Sequence, residues 1–466
     1  MLMRELVKLS LAELADAYAT HALSPVEVMR TTIAHAESVN PAINALFCFR
    51  PEQAIEGARA SEARWRKGEP MGLLDGVPMT VKDSVAIAGW PYTHGIAANR
   101  SIPFSTYDAP PTLALKETGA PIFAKTTMPD CGLMASGLSS LHGVTRNPWG
   151  LAWNTGGSSS GAGASIAAGA GFVTIGTDIA GSVRLPASHC GLASLKPTHG
   201  RVPHLPADFM RMAGPMGRSV EDIARLLTVL CRADERDTWA FPDDKTPYQA
   251  RLDRDLHGVK VGVLLDMGFG PKPEPAVAAV VEAAGRLLAS VGAVVEPFVS
   301  PFGEDAYAPL DTFFKVRGLV EIDNLPPHGP DEVNGFVRAW AEGARGYPAT
   351  ELYRTMAHIT RLKGQLLAVF EPYDFLIAPT LPMVNFPAEE PGPDRAMPLA
   401  HAVFTAPFNQ TGQPAGTVNM GFDDRGLPIG LQVIGHRCDD LGVLQMLKAL
   451  EGMRGFAMDW PLEPRA

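Results

Sequence analysis

The chain predicts an α/β fold in a single domain, and three observations point that way. Residues 259–265, 274–291 and 293–296 read as strand, helix and strand, a unit of the parallel kind. The 46 glycines and 41 prolines are scattered along the chain, which suits many tight strand-to-helix connections. The apolar set makes up 46% of the 466 residues and charged residues 19%, with no internal repeat and no long polar tract, so the chain can bury a large core. Length alone would allow two or three domains. The charged, proline-punctuated stretch 234–255 reads as a surface excursion, however, and not as a linker.

The elements follow in order. Ser10-Leu11-Ala12-Glu13 and Ser24-Pro25-Val26-Glu27 both read as capping boxes, the second with proline at the first helical position. After the second, Val26, Met29, Ile33 and Ala36 recur at helical spacing, and Asn40-Pro41 is expected to stop that helix. A third helix is expected over 51–67, and residues 1–68 together form an N-terminal helical cover. A short strand at 76–81 leads into Lys82-Asp83, followed by a helix near 112–117, a strand at 120–124 and a loop at 125–131. The loop 134–146 is expected to border the pocket. Further on come a strand at 172–175, a helix at 220–231 and a mostly helical region at 303–370. Strands at 375–378, 416–422 and 429–434 follow, the last two joined as a hairpin through Asp423-Asp424-Arg425-Gly426. A helix over 441–451 closes the chain.

One stretch concentrates chemistry. Gly156-Gly157-Ser158-Ser159-Ser160-Gly161 and the run from Gly176 to Pro186 form two tight turns separated by small residues and the short apolar strand. Glycine lets backbone N–H groups approach a ligand, and a serine at such a bend can face a pocket while neighbouring N–H groups converge on a developing oxyanion. Other readings are weaker. A phosphate loop would end in Lys-Ser/Thr, which is missing here. A flexible linker would not run into an apolar strand and the Asp178/Arg184 pair. The 21 residues from Gly157 to Thr177 carry no charge, but glycine, alanine and serine make them too polar for a membrane span.

Net charge is −10, which argues against a basic nucleic-acid or membrane surface and leaves a small neutral substrate open. Cys48, Cys131, Cys190, Cys231 and Cys438 are odd in number and far apart, without a Cys-x-x-Cys, so neither a zinc site nor a disulfide framework is indicated. Free thiols and a start, Met1-Leu2-Met3-Arg4-Glu5, without a signal-peptide pattern point to the cytoplasm.

The two turns, continuing to Cys190-Gly191 and Leu195-Lys196-Pro197-Thr198, resemble the signature of the amidase signature family. So do Gly76-Val77-Pro78-Met79-Thr80-Val81-Lys82-Asp83 and Thr145-Arg146-Asn147-Pro148-Trp149. Downstream the resemblance takes in Ala378-Pro379-Thr380, the run from Pro407 to Ala415 and the run from Gly426 to Gln432. It implies a large mixed, mostly parallel twisted sheet covered by helices on both faces. It also implies that residues 1–466 form one amidase domain in which 303–370 is a variable region near the substrate entrance.

Carried over position by position, the resemblance puts the nucleophile on Ser182, a serine preceded by a cis peptide bond on Ser158, and the lysine on Lys82. Ser158 lies 24 residues before Ser182 and 76 after Lys82. The oxyanion donors become the backbone N–H groups of Ile179, Ala180, Gly181 and Ser182. Asp178 and Arg184 are expected to brace the turn, with Ser159 as a supporting hydrogen-bonding group. The implied partner is a small-molecule amide, with no cofactor, metal, nucleic acid or membrane, and a homodimer is left open. Because Asp83 adjoins Lys82 on a strand, the two should point to opposite faces. His189 is expected to pack or hydrogen-bond behind the turn.

The chain departs from the family's usual pattern at two places. Ala180 stands where glycine is frequent, which is compatible with the turn only at negative φ, and Ser160 also stands where glycine is frequent. The alternative to a stand-alone amidase is the glutaminase component, the A subunit, of a glutaminyl-tRNA amidotransferase. That component typically carries glutamine after the arginine of the nucleophile motif, where this chain has Leu185. A non-enzymatic nucleotide-binding protein would leave Lys82 and Ser158 unexplained.

Overall fold

The structure, a computed structural model, describes residues 3–303 and 306–466. Residues 1 and 2 of the N-terminal stretch, and 304 and 305 of the 303–370 region, lie outside the described residues. The chain begins with helices α1 (Met3–Leu6), α2 (Leu11–Ala19) and α3 (Pro25–Ile43), strand β1 (Leu46–Phe47) and helix α4 (Pro51–Lys67). Then come β2 (Met79–Lys82), α5 (Pro110–Glu117), β3 (Ile122–Thr126), β4 (Leu138–Ser139) and β5 (Gly143–Val144). The middle holds α6 (Ser160–Ala167), β6 (Val173–Asp178), α7 (Arg184–Cys190), β7 (Ala193–Lys196), β8 (Met212–Gly217) and α8 (Val220–Leu230). After it lie β9 (Lys260–Val263), α9 (Pro275–Ser290), β10 (Val294–Pro297), α10 (Tyr307–Asp323), α11 (Gly335–Glu342) and α12 (Ala349–Phe370). The chain closes with β11 (Phe375–Pro379), α13 (Ala406–Gln410), β12 (Ala415–Phe422), β13 (Pro428–Gly435) and α14 (Asp440–Met453).

Eleven strands form one large mixed sheet in the order β1-β3-β2-β6-β8-β7-β12-β13-β11-β9-β10, while β4 and β5 pair separately. Four of its ten pairings are parallel and sit at the two flanks: β3–β2 and β2–β6 on one side, β11–β9 and β9–β10 on the other. The other six are antiparallel and fill the centre and one edge. Parallel neighbours need a crossover element, and α5 and α9 supply it at the flanks. In the centre β12 turns directly into β13 through Asp423, whose carboxylate accepts the N–H groups of Arg425 at 3.0 Å and Leu427 at 2.8 Å.

Alternation along the strands sorts the two faces. Met79, Val81, Val173 and Ile175 point into the largest apolar cluster, which they share with residues of α5, α8, α9 and α14. Thr80 and Thr174 point the other way and bond to each other at 2.9 Å, so Lys82 follows Thr80 onto the face covered by α6. All eight residues of α6 are buried. A Cβ on Gly161 would lie 2.5 Å from Thr127 N, so the helix approaches its neighbours backbone to backbone. The uncharged run is therefore a short buried helix and a central strand, and no described helix is long and apolar enough to cross a membrane.

Two helix signals resolve differently from expectation. Helix α3 runs through Pro41 to Ile43 and ends at Asn44, which takes the left-handed conformation at φ 49°. Asn40 moves the stop point, since its Oδ1 accepts the N–H groups of Ala45 at 2.9 Å and Leu46 at 2.8 Å beyond the helix end. The Ser10–Glu13 capping box is complete. Ser24, by contrast, accepts from Val26 N–H at 3.0 Å and donates to Glu62 on α4, so a tertiary contact replaces the reciprocal bond to Glu27. The N-terminal helices are tied to the body by polar contacts as well as apolar ones. The Arg218 guanidinium donates to the carbonyls of Val7 at 2.7 Å and Gly171 at 3.0 Å, and Leu11 N–H donates to Asp222 at 2.8 Å.

Helices α10 and α11 pack together with Ile359 of α12 in an apolar cluster that includes Ile179, Ala180 and Met210. The 303–370 region thus rests directly on the turn that precedes Ser182.

Candidate active site

Lys82 is the last residue of β2, and its side chain is fully buried. The strand is paired in parallel on both sides, to β6 through Thr80 and Val81 and to β3, where Lys82 itself pairs with Thr126. Its Nζ lies 2.9 Å from Ser158 Oγ, 3.0 Å from Ser159 Oγ and 2.9 Å from Thr177 Oγ1. None of these three partners is charged. Asp83 faces away, as alternation requires, and its carboxylate accepts from Thr93 N–H at 3.0 Å, Thr93 Oγ1 at 2.7 Å and Gly95 N–H at 2.9 Å, with Lys125 3.6 Å distant.

Burial holds the Lys82 amine well below the ordinary lysine value; Asp178 opposes that shift and Arg211 adds to it. A neutral amine has two hydrogens and one lone pair, so among three hydroxyl neighbours one can donate to nitrogen. Ser159 Oγ also lies 3.3 Å from the Thr177 carbonyl, to which it can donate, and Thr177 Oγ1 lies 3.3 Å from Ser84 Oγ. With Ser159 so engaged, Ser158 and Thr177 are the hydroxyls whose hydrogens can point at the nitrogen.

Ser158 follows a cis peptide bond from Gly157 and stands just ahead of α6. Ser182 stands between β6 and α7, and the two serine turns are joined by the Ser159 N–H donating to the Ser182 carbonyl at 3.2 Å. Ser158 is 4% exposed and Ser182 6%.

The turn before Ser182 is built on Asp178. Its carboxylate takes a two-pronged ion pair from Arg184, with Nε to Oδ2 and Nη2 to Oδ1 both at 3.0 Å. Burial raises the Asp178 carboxyl, but the Arg184 guanidinium more than offsets this and holds it at about 2. Arg184 reaches on to Gln432 Oε1 at 2.6 Å, Asn409 Oδ1 at 2.5 Å and the Thr405 carbonyl at 3.1 Å. Asp178 and Arg184 therefore form a buried polar scaffold that clamps the turn to α13 and β13.

That scaffold changes the expected set of oxyanion donors. The Gly181 N–H is turned inward and donates to Asp178 Oδ1 at 2.7 Å, and the Val183 N–H donates to Oδ2 at 3.2 Å. Gly181 thus serves the carboxylate beneath the turn, and the backbone N–H groups of Ile179, Ala180 and Ser182 remain as candidates. The left-handed residue is Gly181 at φ 127°, and Ala180 is not among the residues at positive φ, so alanine fits there without strain. The Ala180 carbonyl is fixed by Thr405 Oγ1 at 2.6 Å.

Several contributors carried no signal of their own. Thr177, Thr405, Asn409 and Gln432 lie in or beside the runs already singled out, and only their partners in space show that they support the turn. Arg211 lies in an unpatterned loop, yet with Ser84, His94, Thr177, Ile179 and Ser158 it lines the cavity beside the lysine. His189 is fully buried, its imidazole pushed down to about 3 by burial, and it packs edge-on to Phe386 with ring centroids 5.7 Å apart. It packs behind the turn. No group of three or more metal-ligating side chains occurs among the described residues.

Two outcomes follow from this electrostatic arrangement. With the folded-state pKa of Lys82 depressed, the unfolded chain binds a proton that the folded chain lacks below about pH 10.4, so this lysine destabilises the fold increasingly as pH falls from there. Lys82→Met should be more stable than the parent at pH 7 by urea denaturation, and the gap should close as pH rises toward about 10. A gap independent of pH would show the amine to be charged in the fold. Arg184→Ala leaves the buried Asp178 carboxylate without its cation and should cost about 3–5 kcal/mol in the same measurement.

The pattern of the Amidase family matches residues 27–444 of this chain. Among curated proteins it is 33% identical to the A component of the glutamyl-tRNA(Gln) amidotransferase of Symbiobacterium thermophilum, covering 95% of this chain and 96% of that protein. The corresponding component from Nostoc sp. (strain PCC 7120) is 30% identical, covering 97% and 99%. Among solved structures, a bacterial aryl acylamidase superposes with a TM-score of 0.89 at 27% identity, covering 98% of both chains. A 6-aminohexanoate cyclic dimer hydrolase in complex with substrate gives 0.89 at 28% identity, covering 98% of this chain and all of that one. A family pattern that spans nearly the whole chain, with whole-length relatives and the same large mixed sheet, makes this chain an enzyme of the amidase signature family.

Proposed function

We propose that the protein hydrolyses the carboxamide bond of a small molecule through an acyl-enzyme on Ser182, with Ser158 and Lys82 as the proton relay. The observation that carries this reading is the Lys82 amine: fully buried, held by three hydroxyls and without a carboxylate among its hydrogen-bond partners. A lysine is a base only when neutral, and burial among hydroxyls is what favours that form.

In the first half-reaction Ser182 Oγ attacks the carbonyl carbon as its proton passes to Ser158 Oγ, whose own proton passes to Lys82 Nζ. The carbonyl oxygen becomes an oxyanion, stabilised by backbone N–H groups from Ile179, Ala180 and Ser182. Collapse of the tetrahedral intermediate breaks the C–N bond, and Ser158 returns a proton to the departing amine. Water then attacks the acyl carbon, giving its proton up by the same route, and the acid leaves as Ser182 recovers its hydrogen. Ser159 and Thr177 hold the amine in place between the two half-reactions, and helices α10 to α12 lie where they can shape access to the turn.

A second reading is favoured by the whole-length relatives that are amidotransferase components. In that reading the same relay releases ammonia from glutamine for a partner. Leu185, buried where that component typically carries glutamine, favours the stand-alone hydrolase.

A panel of aliphatic, aromatic and urea-like amides, assayed for released amine or ammonia, tests the proposal. The parent protein should turn over members of the panel alone, and Ser182→Ala should abolish that activity with an unchanged circular dichroism spectrum. Lys82→Ala should reduce kcat by at least about 100-fold at neutral pH, the lower end of what a positioned base contributes. Full activity of either variant would remove the relay. Glutamine turnover that needs both ATP and a partner protein would establish the second reading.

A further inference from the structure

The cavity that reaches Ser158 and Ile179 is lined by two guanidinium groups, Arg211 and Arg317, and by no carboxylate. An adjoining depression of about 510 Å³ shares Arg211, Arg317 and His94 with it and is also lined by Asp208 and Glu321. The two carboxylates are already engaged. Asp208 Oδ2 pairs with Arg317 at 2.9 Å and its Oδ1 accepts the backbone N–H groups of Met210 at 2.9 Å and Arg211 at 3.1 Å. Glu321 lies 3.9 Å from the other side of Arg317.

The Arg211 guanidinium is left differently. Its Nη2 donates to the Pro206 carbonyl at 2.9 Å, while its Nε is buried with no hydrogen-bond partner. A buried, unmatched donor on a cation is costly to a fold, and so is a second guanidinium beside it. Burial and the neighbouring Arg317 both push Arg211 below the usual arginine value. The amide-cleaving chemistry does not require such a cation: the oxyanion has backbone donors, and a neutral Lys82 completes the relay. An anion in the adjoining depression, at the mouth of the cavity, would offset the charge of the two guanidinium groups that line both spaces, and a planar carboxylate matches the fork of donors that guanidinium presents.

We infer that the physiological amide also bears a carboxylate, and that Arg211, backed by Arg317, binds it and so determines which amides are cleaved. The inference rests on the hydrolase reading above and narrows its substrate class to monoamides of dicarboxylic acids and similarly charged amides. Arg211 is a binding residue here, and its charge is the property that discriminates.

The test compares amides matched in length, with and without the terminal carboxylate: pentanamide with glutaramic acid, and hexanamide with adipamic acid. Wild-type kcat/KM should favour the carboxylated member by about 10- to 100-fold, the scale of a hydrogen-bonded charged contact, with the difference mainly in KM. Arg211→Gln should bring that ratio down to about one, and Arg211→Lys should recover part of it. A wild-type ratio at or below one overturns the inference, and needs no variant to fold. So does a ratio that Arg211→Gln leaves unchanged. If no amide is turned over, the hydrolase reading fails on its own, and calorimetric titration of the wild-type protein with the same pairs decides Arg211. Tighter binding of the carboxylated member supports the assignment, and equal binding overturns it.

Discussion

The buried amine of Lys82 is the constraint around which the site is arranged. Taking an ammonium ion out of water is unfavourable unless an anion accompanies it, and here the nearest anions are committed elsewhere, Asp83 to Thr93, Gly95 and Lys125, Asp178 to Arg184. Burial therefore disfavours the charged form of this amine, which is surrounded by hydroxyls. Three are supplied from two directions, Ser158 and Ser159 from the turn into α6 and Thr177 from the end of β6. Pairing with Thr126 of β3 fixes the lysine backbone at the end of a strand that is held on both sides.

The second constraint is the pair beneath the turn that carries Ser182. Asp178 and Arg184 are only six residues apart, and between them the chain makes the bend that carries Ser182. Their ion pair is fully buried, and it is satisfied because Asn409, Gln432 and the Thr405 carbonyl complete the hydrogen bonds of the guanidinium. Turning the Gly181 N–H toward Asp178 sets the direction in which its neighbours point. The glycine at 181 answers a geometric need, since its φ of 127° is closed to side chains and a Cβ there would collide with Thr405 and Leu185. Ala180, one residue earlier, has ordinary backbone and packs into the cluster built by α10 and α11. The methyl group therefore links the turn before Ser182 to the region that lies over it.

Arg211 and Arg317 belong to a different layer of the design. They come from a loop after β7 and from the middle of α10, far apart in the chain, and they meet at the cavity wall. The proposed relay depends on excluding charge from around Lys82, whereas this wall concentrates it. The two requirements are compatible because Arg211, like the burial itself, disfavours a proton on the lysine.

The chain by itself determined much of the scaffold and the identity of the central groups. The Ser10 capping box, the helix of 51–67 and the hairpin through Asp423 to Gly426 rest on contacts among near neighbours, so local pattern suffices for them. Lys82, Ser158 and Ser182 are singled out by the resemblance to the amidase signature family, which the glycine-rich turns and the run from Gly76 to Asp83 carry. Where local signals met tertiary competition they gave way: Ser24 bonds Glu62 on another helix, and Asn40 carries α3 past Pro41. Only the folded structure decided that the Gly181 N–H faces inward, that Thr177 completes the lysine's shell, and that Asn409 and Gln432 finish the arginine's. Each of these depends on groups that are distant in the chain and close in space. A hydrogen bond is defined by the direction and distance of both partners, and neither is fixed until the sheet and its covering helices have packed.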